Sequence, residues 1–174
     1  MQIYSKMENK KYIKKIENIL DEELFVKCQE YAKSKLRDGS TSFTTNYFWE
    51  NGVRKDSNIV LVHRVENGEI FEKIRDIIQN KLDHSPIHIM FYYWMPGSHI
   101  PWHNDEIYSA GITIYLNEDW NKDHGGLFLF DHDNEVKGIY PKRNMAVEQC
   151  GNVYHSVCPT TSTSDIRYTI QIFT

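Results

Sequence analysis

The sequence predicts an α+β domain that is mainly β, with two N-terminal helices packed on one face of a sheet. Three observations predict it. Apolar residues recur at helical spacing in two stretches of the first half, at 22–36 and 69–82. From His88 onward, short β-prone runs follow one another between turns, as in a barrel or sandwich. Aromatic residues make up 13% of the chain, with eleven tyrosines, which suits strands better than a helical bundle. Helices followed by a run of strands place the helices against one sheet face. No internal repeat, low-complexity tract or linker divides residues 1–174, which are read as a single domain.

Residues 1–10 are read as a loose end, and 12–20 (YIKKIENIL) as a strand. Asp21 then caps a helix whose first turn holds Glu22 and Glu23. Leu24, Phe25, Cys28, Tyr31, Ala32 and Leu36 form its apolar stripe, and Asp38-Gly39 ends it. Residues 40–57 are rich in Ser, Thr, Asn and Gly and are predicted to be irregular, a candidate lid. Ile59 to Val65 is β-branched and strand-like, and Asn67-Gly68 is a turn signal. Ile70, Phe71, Ile74, Ile77, Ile78 and Leu82 mark the second helix. Strands are then expected at 88–95, 110–116, 126–130, 136–140, 144–149, 153–157 and 167–173.

A chain of 174 residues can bury a sizeable core. Its net charge of −4 argues against a nucleic-acid partner. No apolar run approaches the ~18 residues of a membrane span, so no membrane association is expected. The polar N-terminus lacks the apolar region of a signal peptide. Three scattered cysteines, Cys28, Cys150 and Cys158, make no disulfide framework, and a reducing cytoplasm is the simpler reading.

The chemistry centres on His103-Asn104-Asp105. On an extended backbone, residues two apart share a face, so an imidazole and a carboxylate lean toward one point. With a distant second His, such a pair forms the 2-His-1-carboxylate triad of non-haem Fe(II) sites. Alone the pair is weak: eight His and eleven Asp give about half a match by chance. His155, in a short strand pattern, is the candidate third ligand. Arg167 opens the last strand, where alternation puts Arg167, Thr169, Gln171 and Phe173 on one face. An Arg on an inner face is costly unless paired. A dicarboxylate co-substrate, Asp165, another internal acid or exposure to solvent would each meet that need. Gly125-Gly126 permits close backbone approach before a strand, or simply a hairpin turn. His124, Asp131, His132 and Asp133 form a second His/Asp-rich group, read as a solvated loop. His99 is a candidate for the pocket rim rather than a ligand.

An ordered set of motifs over roughly 88–174 carries a family resemblance. A Tyr followed by Pro-Gly leads into His-x-Asp, from Tyr93 to Asp105. Tyr115-Leu-Asn-x-x-Trp120 follows, then Gly125-Gly126-Leu-Phe-Leu-Phe130, His155-Ser-Val-Cys-Pro159 and Arg167-Tyr-Thr-Ile170. In this the chain resembles the 2-oxoglutarate- and Fe(II)-dependent dioxygenases, specifically the prolyl 4-hydroxylase-like branch. The resemblance implies a double-stranded β-helix (jelly-roll) core. It implies that His103, Asp105 and His155 hold Fe(II), with O₂ as oxidant and ascorbate as a candidate reductant. It assigns Arg167 and Tyr115 to the distal carboxylate of 2-oxoglutarate, and Tyr93 to the lining of that pocket. Turnover would release succinate and CO₂ and hydroxylate a prolyl or similar residue in a peptide or protein.

The substrate match is weaker than the cofactor match. Ile100 stands where that branch has Tyr, Tyr108 where it has Arg, and Phe173 where it has Trp. Arg167 lies farther beyond His155 than in close relatives, and Thr160–Ser164 is predicted to form an extra loop near the pocket mouth. Trp94, Trp102, Tyr108 and Phe173 are candidates for an aromatic rim, with Trp94 read as core. The same chemistry on a free amino acid or small metabolite is the alternative. A nucleic-acid demethylase is disfavoured by Phe173, where those enzymes carry a second Arg. A non-catalytic jelly-roll binding module is disfavoured by the intact ligand set.

Overall fold

The computed structural model describes residues 12–43, 59–150 and 152–174. Helix α1 (Glu22–Arg37) starts where the Asp21 carboxylate accepts the Leu24 amide at 2.8 Å, and its last turn carries Lys35 and Arg37. Acidic residues at its start and basic ones at its end complement the helix dipole. Helix α2 (Glu69–Leu82) follows Gly68, whose φ of 98° suits glycine, and ends at Asp83 in the left-handed region. α1 buries Leu24, Phe25, Cys28 and Ala32, and α2 buries Ile74 and Ile78.

Both stripes pack on one face of a seven-stranded antiparallel sheet. Its strands are β1 (Tyr12–Ile16), β2 (Ser42–Phe43), β3 (Val60–Val65), β4 (His88–Trp94), β6 (Ala110–Tyr115), β9 (Ala146–Cys150) and β11 (Arg167–Phe173). Their spatial order is β1-β9-β6-β11-β4-β3-β2. Strand β11 lies at its centre, between β4 and β6. Ile170 and Ile172 join Ile112, Ile114, Phe91 and the helical residues in the main core. Fully burying each such side chain contributes about 1.5–3 kcal/mol. Arg167 and Thr169, on the alternate face, point away from the helices.

That second face is covered by a four-stranded antiparallel sheet. Its strands are β5 (Ile100–His103), β7 (Phe128–His132), β8 (Glu135–Ile139) and β10 (His155–Val157), in the order β5-β10-β7-β8. Tyr115, Phe128, Ile139, Met145 and Val147 fill one side of the gap between the sheets, and Val60, Tyr92, Trp94 and Ile100 fill the other. The candidate site lies in this gap.

Several expectations shift. The first strand stops at Ile16, because Asn18 turns the chain in the left-handed region and Ile19 and Leu20 bond to Asn144 instead. Strand β2 falls within the segment predicted to be irregular, the rest of which, with the candidate lid, lies outside the described residues apart from 40–43. Strand β5 was not among the strands expected; it pairs on one side only, with β10, and so tolerates Pro101.

Candidate functional site

Two histidines meet across a strand pair. His103, the last residue of β5, is the register partner of His155, the first residue of β10, and their ring centroids lie 4.1 Å apart. Asp105 sits beyond the end of β5, so the strand alternation expected for the pair holds only as far as His103. The loop brings the carboxylate back all the same. Asp105 Oδ1 is 3.9 Å from His103 Nε2, and Oδ2 is 3.7 Å from His155 Nε2. One donor atom from each residue lies within 4.8 Å of the others, a span that one metal ion can bridge.

The imidazoles are oriented for this. His103 Nδ1 is 2.8 Å from the Pro101 carbonyl and His155 Nδ1 is 2.9 Å from the Val153 carbonyl. A carbonyl only accepts, so each Nδ1 carries the proton and each Nε2 presents a lone pair inward. Phe128 stacks on the His155 ring at 5.2 Å. Burial, aided by neighbouring His103, pushes the His155 pKa down to about 3, so the ring is neutral at physiological pH, as a metal ligand must be. Burial also pushes the Asp105 carboxyl up, against His103 and a hydrogen bond donated by Gln149 Nε2. A nearby cation would offset that penalty. Gly111 makes room for this bond: a Cβ there would meet Gln149 Nε2 at 2.6 Å and Asp105 Oδ2 at 3.2 Å.

Among the described residues Arg167 is the largest fully buried side chain, at 2% exposure. Its Nη1 donates to the Gly126 carbonyl, and its guanidinium lies 4.4 Å above the Trp94 ring. Among the described residues no carboxylate lies within ion-pair distance, Asp165 included, and Nε has no hydrogen-bond partner. Burial pulls its pKa down to about 10, still cationic at neutral pH. A buried, unpaired guanidinium with a free N–H can receive an anion. Gly126 has φ +69°, and a Cβ there would meet Arg167 Nη1 at 2.5 Å, so the double glycine serves close approach as well as the turn.

Tyr115 stands in the same inter-sheet space, close enough to Arg167 for their charges to interact, and burial pushes its pKa up to about 12. It is therefore a neutral donor. Tyr93 does not join them. Register pairs Trp94 with Arg167 and Tyr93 with Tyr168, so Tyr93 lies in the helix-side core. The expectation that Tyr93 lines the 2-oxoglutarate pocket is corrected by the period of the strand; Tyr92 and Trp94 hold the inner face.

Other expected residues fall elsewhere. Trp102 precedes a candidate ligand by one position, as does Tyr154; the two stack on each other at 5.7 Å and are partly exposed, facing away from the ligands. Tyr108 stacks on Phe173 at 4.4 Å, and it lines a small cleft with Asp105 and Gln149. Asp131, His132 and Asp133 are exposed, and His124 packs against Trp120. His99 is half-buried and outside the cluster. The loop at 160–164 is tied down: Thr160 bridges Gly125, accepts the Gly97 amide and donates to the Met95 carbonyl. Gln149, beside Asp105, is the neighbour that the sequence did not single out, because it carries no motif; Phe128 lies in the Gly-Gly strand motif and Trp94 was read as core, and pairing the two strands places Trp94 opposite Arg167.

The family model described as the 2OG-Fe(II) oxygenase superfamily matches residues 87–174. Among solved structures, a prolyl-4-hydroxylase from Pseudomonas putida is similar at TM-score 0.74 and 17% identity, covering 92% of this chain and 91% of that one. A prolyl hydroxylase from Trichoplax adhaerens, in complex with a hypoxia inducible factor oxygen degradation domain peptide fragment, is similar at TM-score 0.80 and 16% identity, covering 92% and 82%. SnoN, a non-heme alpha ketoglutarate dependent epimerase from nogalamycin biosynthesis, is similar at TM-score 0.64 and 9% identity, covering 92% and 76%. No curated protein matches the chain at a significant level.

Proposed function

The chain belongs to the 2OG-Fe(II) oxygenase superfamily, and from that premise we propose that it hydroxylates a prolyl or similar residue in a peptide or protein. It is a dioxygenase that uses Fe(II), 2-oxoglutarate and O₂. Its two sheets are read as the double-stranded β-helix of that family, with residues 1–174 as one domain. Three free cysteines support a reducing, cytoplasmic setting, and among the described residues no helix is long and apolar enough to cross a membrane.

The observation that carries the reading is the pairing of two sites across one inter-sheet space: the convergent His103, Asp105 and His155, and the buried Arg167 without an acid. Iron with 2-oxoglutarate and O₂ supplies the oxidative decarboxylation and the hydroxylation. The protein's part is geometry and charge. His103 and His155 would hold the metal through Nε2, their rings fixed by the Pro101 and Val153 carbonyls. Asp105 would add the anionic ligand, oriented by Gln149. Arg167 would bind the distal carboxylate of 2-oxoglutarate through its free Nε–H, and Tyr115 would donate a second hydrogen bond to it. Trp94 covers the guanidinium and keeps water from it.

The prolyl substrate rests on the likeness to the two prolyl hydroxylase structures, one of them bound to a peptide. A small-molecule substrate is the second reading, favoured by Ile100, which is buried in the core beside Tyr92 and Trp94 rather than offering a polar group. The test is turnover with Fe(II), 2-oxoglutarate and ascorbate, using prolyl peptides and free amino acids side by side. Succinate formation coupled to one added oxygen on a peptide is expected. Coupling to a free amino acid alone would establish the second reading. No succinate with any substrate, and none uncoupled, would overturn both.

A further inference from the structure

Strand β9 alternates. Gln149 faces Asp105, so Glu148 and Cys150 point to the opposite side of the sheet, toward β1 and the chain that leaves α2. There they meet His84. His84 Nε2 is 2.9 Å from Glu148 Oε1, and Cys150 Sγ is 3.8 Å from each of these atoms. The Tyr12 hydroxyl donates to the same Oε1 at 2.7 Å. Glu148 is 2% exposed, yet its Oε2 accepts no hydrogen bond among the described residues, and Lys14 Nζ approaches only to 3.9 Å. A buried carboxylate oxygen without a donor is costly to hold.

We propose that His84, Glu148 and Cys150 form a second cation site, separate from the His103–Asp105–His155 cluster, that takes a zinc-class divalent ion. The donor set is the first reason. Thiolate, imidazole and carboxylate together suit Zn²⁺ and exclude the all-oxygen preference of Mg²⁺ and Ca²⁺. Spacing is the second. Tetrahedral bonds of about 2.0–2.3 Å put ligand atoms ~3.3–3.8 Å apart. Two of the three edges already stand at 3.8 Å. The third, at 2.9 Å, is a hydrogen bond that opens by ~0.4 Å when a cation replaces the shared proton. Binding releases the Cys150 thiol proton, and the neutral His84 ring carries its proton on Nδ1 so that the Nε2 lone pair faces the ion. One thiolate and one carboxylate then balance the dication, and water fills the fourth position. The ion would clamp the end of α2 to β9 beside Gln149.

The test is a Co²⁺ titration read by thiolate-to-cobalt charge-transfer absorption, which the His103–Asp105–His155 cluster cannot give. The band should appear in the wild type and in His103→Ala, yield to Zn²⁺, persist in Cys158→Ala and vanish in Cys150→Ala. Replacing His84 by Ala, at a half-buried position outside the core, should weaken Co²⁺ binding at this site at least ~10-fold. No thiolate band in the wild type, a band surviving Cys150→Ala, or unchanged affinity in His84→Ala would overturn the proposal, leaving a His84–Glu148 hydrogen bond beside a thiol.

Discussion

Replacing Arg167 by Met should separate co-substrate binding from folding. The guanidinium is buried without an acid, and burial pulls its pKa down from the ordinary arginine value to about 10. At ~1.4 kcal/mol per unit, holding it charged in the fold costs on the order of 3 kcal/mol. Because the folded value is the lower one, this cost is fully present below about pH 10 and fades as pH rises toward the ordinary arginine value. Met removes the cost. It also removes the hydrogen bond to the Gly126 carbonyl, about 1.5–3 kcal/mol, and the stacking on Trp94, about 2 kcal/mol. These terms nearly cancel, so ligand-free stability should change by no more than ~1–2 kcal/mol, a few degrees in melting temperature. Affinity for 2-oxoglutarate has no such compensation. Removing one partner of a buried ion pair costs about 3–5 kcal/mol, which weakens binding by roughly two to three and a half orders of magnitude. Titration calorimetry of 2-oxoglutarate into protein carrying Mn²⁺ reads the affinity, and calorimetric melting reads the stability. Unchanged affinity would refute the role given to Arg167. A melting temperature lowered by more than ~10 °C would refute the uncompensated charge.

Tyr115→Phe should weaken 2-oxoglutarate binding by roughly 10-fold, the worth of one hydrogen bond, with little change in melting temperature; equal affinity would remove Tyr115 from the site. The His155 pKa, about 3 in the fold against 6.5 ordinarily, predicts an acid-labile component of stability. Above pH 6.5 both folded and unfolded rings are neutral; as pH falls from 6.5 to 3 the unfolded chain takes a proton that the fold refuses. Stability is then lost at up to ~1.4 kcal/mol per pH unit. Urea unfolding of metal-free protein should show this extra slope in the wild type and not in His155→Gln, and parallel pH profiles would contradict it.

The helices were legible because their stripes are uninterrupted: Leu24 to Ala32 and Ile74 to Ile78 read directly as buried faces. The alternation of β11 was legible for the same reason, and Arg167 and Thr169 do lie on the face opposite Ile170 and Ile172. The metal candidates were legible from their residue types and motif order. What failed depended on pairing. Tyr93 and Trp94 are adjacent in sequence, and only the register with Arg167 and Tyr168 decides which of them faces the site. Gln149 sits in an ordinary strand pattern, and its bond to Asp105 crosses from β9 to a loop after β5. His84 and Cys150 are far apart in sequence and were not linked at all. Strand β5 was hidden by Pro101, which is permitted because one side of the strand is unpaired.

The most direct measurement is anaerobic addition of Fe(II) and 2-oxoglutarate, watched for the visible metal-to-ligand charge-transfer band. Wild-type protein should show the band, and Asp105→Ala should not, because it removes one of three ligands. A wild type without the band, or an Asp105→Ala variant with it undiminished, would contradict the assignment of the iron and 2-oxoglutarate sites.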